Sequence, residues 1–120
     1  MPRLLVHIVT GPENPTRAAL GMLVARTALQ SGHDVDVFFA GDGVGLLRAA
    51  TLDAGAGIGT GSLRGHYDAL VEGGARLYAS GMSAKARDIT AEDFEGAPVA
   101  MSPPETLVEL VFAADRVLVY

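Results

Sequence analysis

The 120-residue chain contains no cysteine. That excludes disulfides, thiolate metal sites and any persulfide carried on this polypeptide. It also has no apolar run near the ~20 residues that a membrane span needs, although hydrophobic residues make up 49% of it. The opening Met1-Pro2-Arg3, followed at once by Leu4-Leu5-Val6, lacks the longer apolar stretch and small-residue cleavage site of a secretory signal. These absences predict a soluble, cytoplasmic protein with no membrane partner. Positive charge is scarce as well: nine Lys and Arg stand against 14 Asp and Glu, a net charge of −5. The longest basic cluster is the spaced pair Lys85 and Arg87, so nucleic acid and anionic membranes find little electrostatic attraction. Nucleotide-loop spacing is missing too. Gly55, Gly57, Gly59 and Gly61, like Gly41, Gly43 and Gly45, match neither G-x-G-x-x-G nor a loop ending in GK[ST]. Neither a dinucleotide nor any other cofactor is expected, and no metal site.

What is present is an alternation of apolar strands and helical segments, in a length that suits one domain with a single core. Leu4 to Thr10 is nearly continuous β-branched and apolar sequence, the pattern of a strand covered on both faces. Asn14 and Pro15 supply an N-cap and a first-turn proline. The helix they open is expected to turn Ala18, Leu20, Leu23, Val24, Ala28 and Leu29 toward a sheet, with Arg17, Arg26 and Gln30 outward. Gly32 follows its end. Asp34 to Ala40 reads as the second strand, and Gly41-Asp42-Gly43 turns the chain into a short helix through Leu46, Leu47 and Ala50. Thr51 to Ser62, with four glycines, reads as an exposed, flexible loop. A helix over Leu63 to Gly73 should face Tyr67, Leu70 and Val71 inward, before a third strand over Ala75 to Ala79. Ser83 to Arg87 allows at most one helical turn. Thr90 to Asp93 has the spacing of a helix start, closed quickly by Gly96 and Pro98. Val99 to Met101 is a minimal fourth strand, and Ser102 is expected to cap a helix that opens on Pro103 and buries Leu107, Leu110 and Phe112. Arg116 to Tyr120 makes the last strand. Together these predict a three-layer α/β/α sandwich with a mainly parallel sheet of about five strands.

In open parallel sheets, ligands bind outside the carboxyl ends of the strands. That edge collects Thr10, Gly11, Gly41, Asp42, Ser80, Gly81 and Ser102, with Asn14, Arg17, Ser83, Lys85 and Arg87 beside them. Their hydroxyls and nearby helix starts favour a small anion or polar ligand. The same residue types also cap helices and close turns in any α/β domain. Ser80 is a weak candidate nucleophile, because such a hydroxyl needs a base within reach. His7 lies mid-strand, His33 opens the second strand, His66 sits early in a helix, and no G-x-S-x-G elbow surrounds the serine. A satisfied turn serine is the plainer reading. Asp42 either orients a ligand or water, or caps the helix after Gly43. Lys85 and Arg87 hold an anion, pair across a subunit interface, or face solvent. Arg17, in a first turn, opposes the helix dipole, so Glu13 or an anion is expected to face it. The alanine-rich first helix and the apolar last strand offer surface for self-association.

Three segments carry a family likeness. His7 to Leu20, HIVTGPENPTRAAL, has a GPxxPxRA opening; Gly32 to Leu47, GHDVDVFFAGDGVGLL, is similar to GHEVxxFxxGDxVxLL; and Gly74 to Ile89, GARLYASGMSAKARDI, is similar to a YxCGMSxKxRG-like context. In these the chain resembles the DsrE/DsrF-like family. The resemblance implies a parallel α/β fold and homo-oligomers, trimers or hexamers, or heteromeric rings. Relatives relay sulfur, in sulfur oxidation or tRNA thiolation, through a cysteine at the position of Ser80. Serine cannot take that role: its hydroxyl ionises far less readily than a thiol, and oxygen forms no persulfide. The expected function is therefore that of a non-catalytic, oligomeric binding or scaffold protein with a polar or anionic ligand pocket. The alternatives are an accessory subunit of a sulfur-relay complex with a cysteine-bearing partner, and a small hydrolase or transferase using Ser80.

Overall fold

In the computed structural model, which describes residues 2–120, seven strands and five α-helices alternate along the chain. The strands are β1 (Arg3–Ile8), β2 (Asp34–Phe39), β3 (Ala56–Gly57), β4 (Gly61–Ser62), β5 (Arg76–Ser80), β6 (Val99–Ser102) and β7 (Arg116–Val119). The helices are α1 (Pro15–Gln30), α2 (Ala49–Ala54), α3 (Leu63–Glu72), α4 (Gly81–Ala86) and α5 (Pro104–Ala113), with 3-10 segments at Gly41–Leu47 and Ala91–Phe94. Five strands pair in parallel in the order β6-β5-β2-β1-β7, and β3 and β4 form a separate antiparallel hairpin. The expected parallel α/β sandwich is the fold observed.

Local chemistry explains the element boundaries. The Asn14 side chain accepts the Arg17 amide at 3.1 Å, and Pro15 occupies the first position of α1. Beyond its end, Gly32 has φ +91°, a conformation that a side chain would strain. Along each strand, alternate side chains face opposite sides of the sheet. Val6, Ile8, Val37, Phe39 and Leu77 enter the larger core, under α1 and α3, with Ala18, Met22 and Leu70 against them. Leu5 and Phe38 point the other way, where Leu107 and Leu110 of α5 meet them. On that second side, fully buried Asp36 accepts Arg3 Nε at 2.7 Å and Arg76 Nε at 2.5 Å, tying three strands together.

Several local expectations are corrected. The segment from Thr51 to Ser62 is not an open loop. It contains most of α2 and the β3–β4 hairpin, which Thr16 holds against α1: its hydroxyl accepts the Ile58 amide, and its carbonyl accepts the Thr60 hydroxyl. The helix expected through Ala50 breaks at Arg48, whose extended backbone separates a 3-10 segment from α2. On α1, the buried set is Ala18, Ala19, Gly21, Met22 and Ala25, while Leu20 is exposed. Arg26 turns inward to within 3.4 Å of His66 Nδ1. Ser102 does not cap α5; it remains in β6, paired in register with Ser80, and α5 starts at Pro104. Phe112 is 87% exposed rather than buried. The turn after Ser80 is fuller than expected, a six-residue helix.

Candidate functional site

Ser80 stands at the carboxyl end of β5, and its hydroxyl accepts the Ser83 amide at 3.2 Å, so it is the N-cap of α4. The Ser83 hydroxyl in turn accepts the Gly41 amide at 2.9 Å, joining α4 to the end of β2. Both hydroxyls are thus engaged with backbone. Among the described residues, no imidazole or carboxylate hydrogen-bonds Ser80. His7 shares its side of the sheet but lies two strands away and two residues back along the strand direction, about 12 Å at ordinary strand geometry, with Phe38 in the strand between. Burial pushes the His7 imidazole below its usual range, and its Nε2 is enclosed with no partner. His66 is occupied by the Thr60 carbonyl at 2.6 Å, and His33 precedes β2 at the far end of the sheet.

Of the twelve residues singled out from sequence, Asp42 and Arg87 border one cavity and Gly81 and Ser102 another; the other eight border neither. The first is a cleft of about 280 Å³ bordered by Pro12, Glu13, Asp42, Gly45, Arg48, Arg87 and Ile89. Arg87 Nη2 donates to Asp42 at 2.9 Å and its Nη1 to the Ser83 carbonyl at 3.1 Å, at the C-terminal end of α4, where a cation is favoured. Arg48 Nη2 reaches the Arg87 carbonyl at 2.7 Å. Glu13 accepts the Gly11 amide with both oxygens, at 3.0 and 3.1 Å. Gly11 is required there, because a Cβ would collide with the Asp42 carbonyl. Thr10 and Gly11 are buried behind this cleft, the Thr10 amide donating to the Tyr120 carbonyl at 3.2 Å.

The second place is an open, largely apolar groove of about 580 Å³ along Gly81, Met82, Met101, Ser102, Pro103, Pro104 and Glu105. Ser102 spends its hydroxyl on the Ala100 carbonyl at 3.0 Å. Gly41 borders neither place; its amide is bonded to the Ser83 hydroxyl. Asp42 neither caps nor is capped; it is the ion-pair partner of Arg87. Asn14 is consumed by α1, Arg17 is exposed without the expected Glu13 pair, and Lys85 is exposed without an ion-pair partner among the described residues. Arg48 was not singled out from sequence. Its only local signal is that it is the first cation after the apolar pair Leu46-Leu47.

A single parallel sheet in this strand order, with a capped serine where β5 meets α4, defines an α/β sandwich whose polar edge is assembled by long-range backbone contacts. The chain belongs to the DsrE/DsrF-like family, whose model matches residues 3–120. No curated protein matches it. Among solved structures, it is similar to the ychN protein from E. coli, with a TM-score of 0.85, 16% identity and 100% of both chains covered. It is also similar to BT1422 from Bacteroides thetaiotaomicron, a conserved protein of unknown function. There the TM-score is 0.73 at 11% identity, covering 98% of this chain and 94% of that one. At these identities the likeness is one of fold. No helix among the described residues is long and apolar enough to cross a membrane.

Proposed function

We propose that this protein is a non-catalytic, homo-oligomeric binding or scaffold member of its family, taking a small polar or anionic ligand at the carboxyl edge of the sheet. The observation that carries the reading is the Ser80 hydroxyl: it is spent on capping α4, and the nearest imidazole on its side of the sheet is two strands away. Next to it, the cleft between Glu13, Asp42, Arg48 and Arg87 offers recognition without a nucleophile. Arg48 uses one of its five donors on protein, so it is the group available to a carboxylate or phosphate oxygen. Self-association, as a trimer or hexamer, is supported by the apolar residues that α5 and β7 leave uncovered. Titrating the labelled protein with inorganic phosphate tests the cleft. Saturable amide shifts around Gly45 and Arg48, lost in Arg48→Ala, are expected; binding indifferent to that substitution would refute the assignment.

A second reading, an accessory subunit that docks a cysteine-bearing sulfur-relay protein, is favoured by the groove beside Ser80. Met82 there is 70% exposed, and Met101, Pro103 and Pro104 extend the apolar surface. A synthetic peptide carrying a persulfidated cysteine should then shift the Met82 and Met101 methyl signals. No shift at millimolar peptide would set this reading aside.

A further inference from the structure

A cleft of about 310 Å³, away from the carboxyl edge, lies where α2 and α3 meet the segment 93–98. Its walls are apolar, with Leu47, Leu52, Val71 and Phe94 among them, but its charged residues are mostly of one sign. Asp68, Glu72, Asp93 and Glu95 line it against a single cation, Arg64. That cation is already neutralised, by Asp53 at 2.8 Å and Asp68 at 3.5 Å. Asp93 accepts the Thr90 amide at 2.8 Å. Glu72 and Glu95 have no ion-pair partner among the described residues.

Acidic residues alone would say little, since a solvated acidic surface is ordinary. Tyr67 adds an independent observation. It lines the same cleft, is only 4% exposed, and its hydroxyl is buried with no hydrogen-bond partner. Buried hydroxyls are normally satisfied, and leaving one unpaired is unfavourable. Arg64 and Asp68, whose charges act on this hydroxyl, line the same cleft as Tyr67. Burial pushes its ionisation up to about 12, so it remains a neutral hydroxyl with free lone pairs. No group of three or more metal-ligating side chains exists among the described residues, and apolar walls do not suit a hydrated metal ion.

We propose that this cleft binds a primary alkylammonium, its apolar stem against Leu52, Val71 and Phe94 and its nitrogen held by Glu72, Glu95 and the Tyr67 hydroxyl. Three acceptors match the three N–H donors of an ammonium group. A free alkylamine and a lysine side chain share this chemistry. The assignment is independent of the carboxyl-edge cleft, with which it has no lining residue in common.

The test titrates the full-length, isotope-labelled protein with hexylamine hydrochloride, hexan-1-ol and an N-acetyl-lysine methylamide. Hexylammonium should give saturable amide shifts around Tyr67, Glu72 and Glu95, with hexanol about tenfold weaker for want of the charge-assisted bonds. Glu72→Gln combined with Glu95→Gln, and separately Tyr67→Phe, should each weaken hexylammonium binding several-fold. Tyr67→Phe removes a hydroxyl that has no partner, so its Tm should not fall. Tighter binding of the lysine derivative than of hexylammonium would point to a protein ligand, and the reverse to a free amine. Equal binding of alcohol and amine, no saturable shift, or a lowered Tm in Tyr67→Phe would overturn the proposal.

Discussion

On the α1 side of the sheet, Val6, Ile8, Val37, Phe39 and Leu77 disappear beneath α1 and α3, and the enclosed cluster runs on to Leu52, Ile89 and Phe94. On the opposite side, the alternate residues of the same strands meet α5 alone, and only Leu5, Phe38 and Leu110 form a buried cluster. Around that small cluster, Val108, Val111 and Phe112 of α5 and Val117 and Val119 of β7 remain exposed. Val117 and Val119 stand in register with Leu5 and His7, which puts them on the α5 side. The difference teaches that an apolar strand in this chain need not be covered by the chain itself. One face is closed internally; the other is left open, and it is the face that the proposed self-association would cover.

Substituting equivalent side chains on the two faces should separate them most sharply. Phe39→Ala opens a cavity in the closed face and should cost about 3–5 kcal/mol in chemical denaturation. Phe112→Ala should alter the stability of the isolated fold by less than about 0.5 kcal/mol while weakening self-association. A loss of several kcal/mol from Phe112→Ala in a monomer would erase the contrast.

A smaller effect is expected at Ser80. Ser80→Ala removes the cap of α4 and should cost about 1 kcal/mol, seen as a lowered denaturation midpoint. Ligand binding at the Arg48 cleft should survive in the folded variant, because Ser80 does not border that cleft.

The smallest effect concerns His7 on the open face. Its imidazole is held below the ordinary value of 6.5 by burial, so the folded protein binds fewer protons than the unfolded chain in the acidic range. Its contribution to stability is complete above about 6.5 and declines as pH falls through the folded value. Urea titrations of the protein and of His7→Leu at pH 7 and pH 5 should show the decline reduced in the variant. An identical decline in both would show that other groups carry it.

Much of the fold was legible because its signals are local. Asn14-Pro15 and Gly32 bound α1, and the β-branched runs mark β1 and β2, as strand and cap chemistry require. Register was less accessible. Ser102 looked like a cap before Pro103, yet pairing with Ser80 carries β6 one residue further and delays α5 to Pro104. Arg17 and Glu13 looked complementary, but the Gly11 amide, shared between both oxygens, occupies the carboxylate locally. Four glycines suggested mobility between Thr51 and Ser62, whereas hydrogen bonds donated to Thr16, more than 40 residues away, order the hairpin. The carboxyl edge was legible as a list of residues and not as a shape. Contacts such as Gly41 to Ser83 and Asp42 to Arg87 join segments 42 and 45 residues apart, and no local pattern encodes them. Arg48 escaped notice for the same reason, and Tyr67 was read only as an inward-facing core residue. One matters through a long-range carbonyl bond, the other through a hydroxyl that the fold encloses without a partner.

The most direct test of the unequal faces is sedimentation velocity at micromolar concentration, on the protein and on a Phe112→Glu, Val119→Asp double variant. The protein should sediment as a closed assembly of several copies. The variant should sediment as a folded monomer, with unchanged circular dichroism. A monomeric protein, or a variant that assembles as fully as the original, would contradict the assignment of the open face to self-association.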